Sequence, residues 1–295
     1  MSHDQNFKNL ILDYPHQALA FFAPDEAADG LPGAKIVPVR QEQLKERLGD
    51  RFRELDVPLL VEWPDGRREV LLFVVEEQSD PQRFSIHRLA HYCLDLSDML
   101  KTDRVVPVAI FLRGGPRRRE LVLGGDRHTY LSFRFLSCEL AAIPFERFSS
   151  SDNLVGRINL LNMHYSAEQK VDAYAQAVQG LLTLESDPEK QLKYLDFIDF
   201  YAQLDENDRI RYAREYPHEA EIMATFSERY IQQGEQQGVR KGEAKVLLTL
   251  LQLKFGDVPE SVRTAIDEAD AETLLRWSTR VLTATNLDEV IADDR

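Results

Sequence analysis

The chain has 295 residues, 43% of them hydrophobic, and a formal net charge of −14 at pH 7. This length accommodates about two domains of ordinary size. The negative charge disfavours a protein that coats nucleic acid or anionic membrane over its whole surface, although a local basic groove remains compatible with it. The first residues do not form a secretory signal, and no apolar run approaches the ~20 residues of a membrane span. Cys93 and Cys138, the two cysteines, lie in apolar patterns typical of reduced core residues, so we expect a cytoplasmic protein without a membrane partner.

The first half of the chain alternates between helix and strand patterns. Its first predicted element is a helix with apolar residues at helical spacing, namely Phe7, Leu10, Ile11 and Tyr14. A β-hairpin is predicted within residues 55–80, where the segment WPDGR joins two apolar strands. A long amphipathic helix follows, then a buried strand at 105–112 with layers on both sides, then a strand at 129–138. This order predicts a mixed α/β domain over residues 1–150.

The hairpin carries the densest chemistry in the sequence. If the turn is centred on Gly66, Asp56 lies directly opposite Glu76 on one face of the hairpin. Because side chains alternate between faces, Gln78 shares that face and Glu77 points away from it. Two carboxylates roughly 5 Å apart repel each other unless a cation lies between them. The pattern therefore suggests a divalent metal.

Two further polar groups follow the hairpin. His87 and His91 lie four residues apart in the predicted helix, but without an acidic residue beside the first histidine they indicate an exposed pair rather than a zinc site. Arg88 and Tyr92 have the same spacing and form either a pocket wall beside the hairpin or an ordinary surface pair. The segment RGGPRRRE places four arginines together, which either hold a phosphate backbone or form a solvated loop: Arg113, Arg117, Arg118 and Arg119.

The second half of the chain predicts helices only. We divide it into a helical region at 151–233 and a helical C-terminal domain at 234–295. Gly234, Gly238 and Gly242 recur every four residues on one helical stripe. Such a stripe either loosens a connector or permits close packing between helices, and we favour the connector. The alternative is a homo-oligomer formed through this half of the chain.

Several enzyme classes are excluded because the sequence lacks their motifs. The sequence contains no P-loop, no dinucleotide-binding glycine fingerprint, no serine-nucleophile elbow and no Cys-x-x-Cys pair. Asp56, Glu76 and Gln78 remain as the concentrated site pattern. Paired carboxylates that bind Mg²⁺ are the minimum equipment of a metal-dependent nuclease.

The sequence resembles the Rpn-type recombination-promoting nuclease and transposase family, which is similar to the PD-(D/E)XK nuclease superfamily. The resemblance rests on HDQNFKN at the start, on residues 55–80 with EEQSD, on Arg88 and Tyr92, and on VVPVAIFLRGG. It covers residues 1–145. The tail from Gly234 to Ile291 is similar to a domain of unknown function often attached to such proteins.

The resemblance implies a restriction-endonuclease-like core flanked by helices, DNA as the substrate, and Mg²⁺ or Mn²⁺ as the cofactor. Asp56 and Glu76 would be the metal ligands, and Gln78 would take the place of the superfamily's lysine. A glutamine amide is neutral, so Lys8 or Arg88 would have to supply the positive charge. Asp4 would be a third acidic group, or would instead stabilise its helix N-terminus.

Two functions follow as expectations. The first is a metal-dependent DNA endonuclease in which Asp56 and Glu76 hold the ion and Gln78 orients water or phosphate. The second is a nuclease-fold protein without strong catalysis that acts as an interaction or oligomerisation module. The missing lysine and the long helical half favour the second function.

Overall fold

The computed structural model describes residues 3–27, 33–39, 44, 56–76, 84–116 and 118–291. The chain divides into two compact units, Met1–Glu219 and Ala220–Arg295. The first unit is built on a five-stranded mixed sheet with helices, and the described part of the second is helical. The predicted mixed α/β class is therefore confirmed. None of the described helices combines the length and the apolar character needed to cross a membrane.

The main sheet lies in the first unit and has the strand order β1-β2-β3-β4-β7. Its strands are β1 (Lys35–Pro38), β2 (Val57–Glu62), β3 (Arg68–Glu76), β4 (Val105–Phe111) and β7 (Leu136–Glu139). β2 is antiparallel to both of its neighbours, β1 and β3, whereas β3, β4 and β7 run parallel to one another. The predicted buried strand at 105–112 is confirmed as β4, which lies between two neighbours and is buried from Pro107 onward.

A second, two-stranded antiparallel sheet pairs β5 (Glu120–Gly124) with β6 (Thr129–Arg134). The prediction of one strand at 129–138 was wrong, because the chain changes sheets after Arg134. Phe135 lies between β6 and β7 and is only 7% exposed. The burial of this side chain in the core fixes the point where the chain passes from one sheet to the other.

The hairpin between β2 and β3 is confirmed, but its predicted register was wrong by two residues. Val57 pairs with Phe73 and Leu60 with Val70, so the same ladder extended brings Asp56 opposite Val74 rather than Glu76. The physical reason is the turn, which is a three-residue loop closed by a hydrogen bond from Trp63 N to Arg67 O (3.0 Å), with Gly66 at φ +84°. A shift of two residues preserves the alternation, so Asp56 and Glu76 still belong to one face.

Helices cover both faces of the main sheet. On one face lie α1 (His3–Asp13) and α2 (Pro15–Phe22), with the short α3 (Pro24–Ala27) after them. The ring of Phe22 lies 6.3 Å from that of Phe73 in β3, and Phe7 lies 6.5 Å from Phe22. The other face is covered by α4 (Ile86–Leu100). It packs on alternate residues of β3 in a shared core, and the cluster includes Val70, Leu72, Val74, Leu89, Cys93 and Leu96.

Helices complete the first unit: α5 (Leu154–Ile158), α6 (Lys170–Leu184), α7 (Pro188–Ala202) and α8 (Glu206–Glu215). Single 3-10 turns lie at Leu140–Ala142, Phe145–Arg147, Asn159–Asn162 and Ala167–Gln169. Ser166 and Gln169 form a capping box before α6. At the start of α7, Asp187 accepts a hydrogen bond from Glu189 N at 2.9 Å and Pro188 takes the first helical position.

The second unit has its own core. It consists of α9 (Pro217–Phe255), which begins just before the unit boundary, followed by α10 (Glu260–Glu268), α11 (Ala271–Val281) and α12 (Leu287–Ile291). Its inward residues are fully buried, namely Leu247, Leu251, Ile266, Leu274 and Val290. The long helix α9 ends at Gly256, whose left-handed backbone at φ +84° is the conformation that glycine favours after a helix. The helical C-terminal module thus follows from its apolar periodicity.

Candidate functional site

The candidate site lies at the edge of the main sheet where the parallel strands end. β3 ends at Glu76, which is in register with Phe111 of β4, and Phe111 is in register with Glu139 of β7. Because β2 runs in the opposite direction, Asp56 precedes it at the same edge. The carboxyl ends of parallel strands are the usual location of ligands in α/β sheets. The sheet therefore brings both predicted carboxylates to one edge.

Glu76 forms an ion pair with an arginine of α4. Nη2 of Arg88 donates to Oε1 of Glu76 at 3.0 Å, and the two side chains are only 21% and 12% exposed. Ser85 caps α4 by accepting a hydrogen bond from Arg88 N at 3.2 Å, which places Arg88 in the first turn. Side chains in a helix lean toward its N-terminus, in this case toward the end of β3. A guanidinium group therefore provides the cation that the repulsion argument required beside Glu76.

Tyr92 follows Arg88 by four residues on the same side of α4 and is 1% exposed. Its hydroxyl is buried and has no hydrogen-bond partner among the described residues. Burial, and secondly the negative charge of Asp56, raises the pKa of Tyr92 above its usual range. The hydroxyl therefore stays protonated and can donate a hydrogen bond.

Asp56 is 5% exposed, which is unusual for a carboxylate. By the alternation of β2, Asp56 lies on the same face as Leu60 and Val74, which pack in the core that contains residues of α4, so Asp56 lies on the same side of the sheet as α4. The structure thus groups Asp56 with Tyr92, and Glu76 with Arg88, at one edge. Tyr92 is buried, so Arg88 and Tyr92 do not form an ordinary surface pair, and the prediction that they line a pocket beside the hairpin stays a prediction.

The fit to a divalent metal rests on the chemistry of the donors. Carboxylate oxygens, such as those of Asp56 and Glu76, are the ligands that Mg²⁺ and Mn²⁺ prefer. The orphaned hydroxyl of Tyr92 offers a donor to a water or phosphate oxygen beside them. In the described part of the chain, no three histidine, cysteine, aspartate or glutamate side chains assemble into a metal-binding group. Asp56 and Glu76 are therefore the two carboxylates of this site that could hold such an ion, and their oxygens are of the kind that it prefers.

The remaining predicted site residues lie in several places. Gln78 and Glu77 lie outside the described residues, as does the side chain of Asp4. Lys8 is 9% exposed on α1, a helix that contacts β2. His87 and His91 are both exposed, as predicted. Cys93 and Cys138 are confirmed as free, buried thiols, and burial raises the pKa of each to about 12.

The arginine segment is only partly available to a ligand. Arg119 pairs with Glu139 at the end of β7, and Nε of Arg118 donates to the backbone oxygen of Glu120 at 2.7 Å. Arg113 is exposed, and Arg117 lies outside the described residues. The sequence had not indicated Glu139, because only the parallel register of β4 and β7 brings it to the same edge as Glu76.

Comparison with known proteins leaves the family resemblance as a proposal. No family model, no curated protein and no solved structure matches the chain.

Proposed function

We propose that the chain is a metal-dependent DNA endonuclease of the Rpn recombination-promoting type, with a restriction-endonuclease-like core of the PD-(D/E)XK superfamily. The observation that carries the proposal is the position of Asp56 and Glu76 at one sheet edge, beside Arg88 and the orphaned hydroxyl of Tyr92. Carboxylates with little exposure to solvent favour neighbouring positive charge, and a buried hydroxyl favours a hydrogen-bond acceptor. A metal ion would add to the positive charge that Arg88 provides at Glu76, and a phosphodiester would give the hydroxyl of Tyr92 an acceptor.

The roles of the residues follow from their chemistry. Asp56 and Glu76 would hold the ion, whose contribution is to activate water and to neutralise negative charge on the phosphate. Arg88 keeps the carboxylate of Glu76 oriented toward the edge and adds fixed positive charge. Tyr92, held in its protonated form, donates a hydrogen bond to a phosphate oxygen or to water. Gln78 would orient water by the family resemblance.

The test is nicking of supercoiled plasmid in Mg²⁺ or Mn²⁺ by the purified chain and by Asp56→Asn and Glu76→Gln. We expect both variants to lose about 100-fold or more of the rate, the scale of removing one preorganised catalytic group. The matched control is Glu69→Gln. Glu69 lies on the same strand and has an 8% exposed side chain, and it pairs with Arg104 at 2.8 Å, but it lies at the other end of β3. Nicking that survives in both site variants would exclude the proposal.

A second function is favoured by one contact. Because Glu76 is already paired with Arg88 at 3.0 Å, the negative charge of its carboxylate is partly neutralised without a metal. A nuclease-fold protein that acts as an interaction module would need no metal ion at this place. Calorimetric titration with Mn²⁺ separates the two functions: the endonuclease binds the ion and Glu76→Gln weakens binding, whereas the interaction module shows no heat that depends on Glu76.

A further inference from the structure

The second sheet and the loop that leads into it form a basic surface. We call residues 113–134 the basic ribbon. It contains six arginines and two acidic residues, Glu120 and Asp126, which gives a formal charge of +4. Since the whole chain carries −14, the other 273 residues carry −18. A local concentration of positive charge on an acidic protein directs a polyanion to that one place.

The inner face of the ribbon is anchored on the first unit. Leu121 is 3% exposed in the core that also contains residues of α4, and Leu131 and Phe133 pack against the same core. The ribbon and the helix of Arg88 and Tyr92 therefore share one packed core. This anchoring fixes the ribbon relative to the candidate site.

The tip of the ribbon is a tight turn. Gly125 N donates to the backbone oxygen of His128 at 3.0 Å, and a Cβ added at Gly124 would lie only 2.5 Å from that oxygen. Glycine is required at Gly124 because of this close approach of the two strands. The tip is thus held in a defined conformation and presents Arg127 on its outside.

The outer face of the ribbon is open and mixes polar side chains with exposed apolar ones, of which Val122 is 43% exposed. Tyr130 is 79% exposed, and the side chain of Arg134 is 77% exposed. Arg113 and Arg127 are exposed and make no ion pair with any residue that the structure describes. Arg134 contacts Glu120 at 3.2 Å, but a surface pair of this kind contributes little and exchanges readily. The ribbon therefore presents the guanidinium groups of Arg113 and Arg127 and the exposed ring of Tyr130.

We infer that the basic ribbon is the surface on which the chain binds duplex DNA, with Arg113 and Arg127 on the phosphate backbone. The inference rests on the proposed endonuclease function and names the surface that holds its substrate. A two-stranded ribbon has the width that the major groove admits, and arginine matches the geometry of phosphate oxygens. Phosphate contacts of this kind position a protein on DNA without specifying sequence.

The experiment measures binding of a labelled duplex of about 30 base pairs by fluorescence anisotropy in EDTA, a length that spans several phosphate contacts. The variants are Arg113→Ala/Arg127→Ala and Tyr130→Ala. Arg209→Ala/Arg214→Ala is the matched control, since both arginines are exposed on α8. We expect the ribbon double variant to bind about tenfold more weakly and to lower the slope of log K against log salt by about 2. Tyr130→Ala should weaken binding as well, while the control binds as the unmodified chain does.

The outcomes separate this inference from the proposed function. If the chain nicks plasmid but the ribbon double variant binds DNA with unchanged affinity and salt slope, the endonuclease stands and the ribbon inference is overturned. If the chain binds DNA through the ribbon but never nicks it, the ribbon inference stands and the endonuclease fails. Binding of anionic lipid vesicles with no binding of duplex DNA would also overturn the inference, because the surface would then serve a membrane.

Discussion

Tyr92 combines full burial with a hydroxyl that the described part of the folded chain does not use. An unsatisfied buried hydroxyl destabilises a protein by about 1–3 kcal/mol relative to the same group in water. Tyr92 follows Arg88 by one helical turn on the same side of α4, so the candidate site is the place where its hydroxyl can find a partner.

Replacement of Tyr92 by phenylalanine therefore separates stability from activity. We expect Tyr92→Phe to leave the free energy of unfolding unchanged or to raise it by up to about 1 kcal/mol, because the substitution removes an unpaired polar group and keeps the ring. We expect plasmid nicking to fall at the same time. The measurements are thermal unfolding and the nicking rate on the same preparation.

Tyr212→Phe is the control for this change. Tyr212 is 6% exposed, and its hydroxyl also lacks a partner among the described residues, but it lies on α8. It should show the same effect on stability with no effect on nicking. Equal nicking by Tyr92→Phe and the unmodified chain would remove Tyr92 from the catalytic machinery.

At the scale of single residues, the sequence indicated which face the side chains of the candidate site occupy. Period-two alternation placed Asp56 and Glu76 on one face, and the i to i+4 spacing placed Arg88 beside Tyr92. The sequence did not indicate that Arg88 pairs with Glu76, because that contact depends on how α4 lies against β3. Local periodicity shows which face a side chain occupies, whereas the partner across the layer depends on tertiary packing.

At the scale of elements, long apolar patterns were predictable and short strands were not. β4 and α4 follow directly from continuous and helical apolar spacing. β1 and β5 were not predicted, since they have four and five residues and only one of these nine residues is buried. The hairpin register depended on the position of the loop centre, which is Asp65 rather than Gly66, and the pair Asp65-Gly66 alone does not fix this position.

Two helical glycines show how the environment of an element decides the effect of one methyl group. A Cβ added at Gly180 of α6 would lie 2.5 Å from Nε of Arg157, a buried side chain whose Nη2 donates to Gln176 O. We expect Gly180→Ala to lower the free energy of unfolding by about 1–3 kcal/mol through overpacking. A Cβ added at Gly242 of α9 meets no described atom within 4 Å. Gly242→Ala should therefore raise the free energy of unfolding by about 0.5–1 kcal/mol. Denaturation followed by far-UV circular dichroism measures both variants, and two effects of the same sign would contradict this account.

At the scale of the whole molecule, the chain joins an α/β unit to a helical unit with a separate core. The helical periodicity after residue 153 predicted the class of the second half. The sequence divided that half at residue 233, whereas the helices from α5 to α8 pack in the same unit as the sheet, and the unit boundary falls at Glu219. Periodicity identifies helices, but their assignment to a unit depends on which apolar faces meet.

The separate core of the second unit predicts that it folds by itself. A fragment that begins at Pro217 contains all of α9 to α12, and Trp277, its only tryptophan, is 5% exposed in the core. We expect this fragment to be helical and to unfold cooperatively, with a change in tryptophan fluorescence. Leu274→Ala should lower its free energy of unfolding by about 2–5 kcal/mol, because Leu274 is fully buried. The neighbouring Leu275 is 61% exposed, so Leu275→Ala should change the free energy of unfolding by less than about 0.5 kcal/mol. A fragment that shows no cooperative transition, or equal losses from the two leucine variants, would mean that the core of the second unit does not form without the rest of the chain.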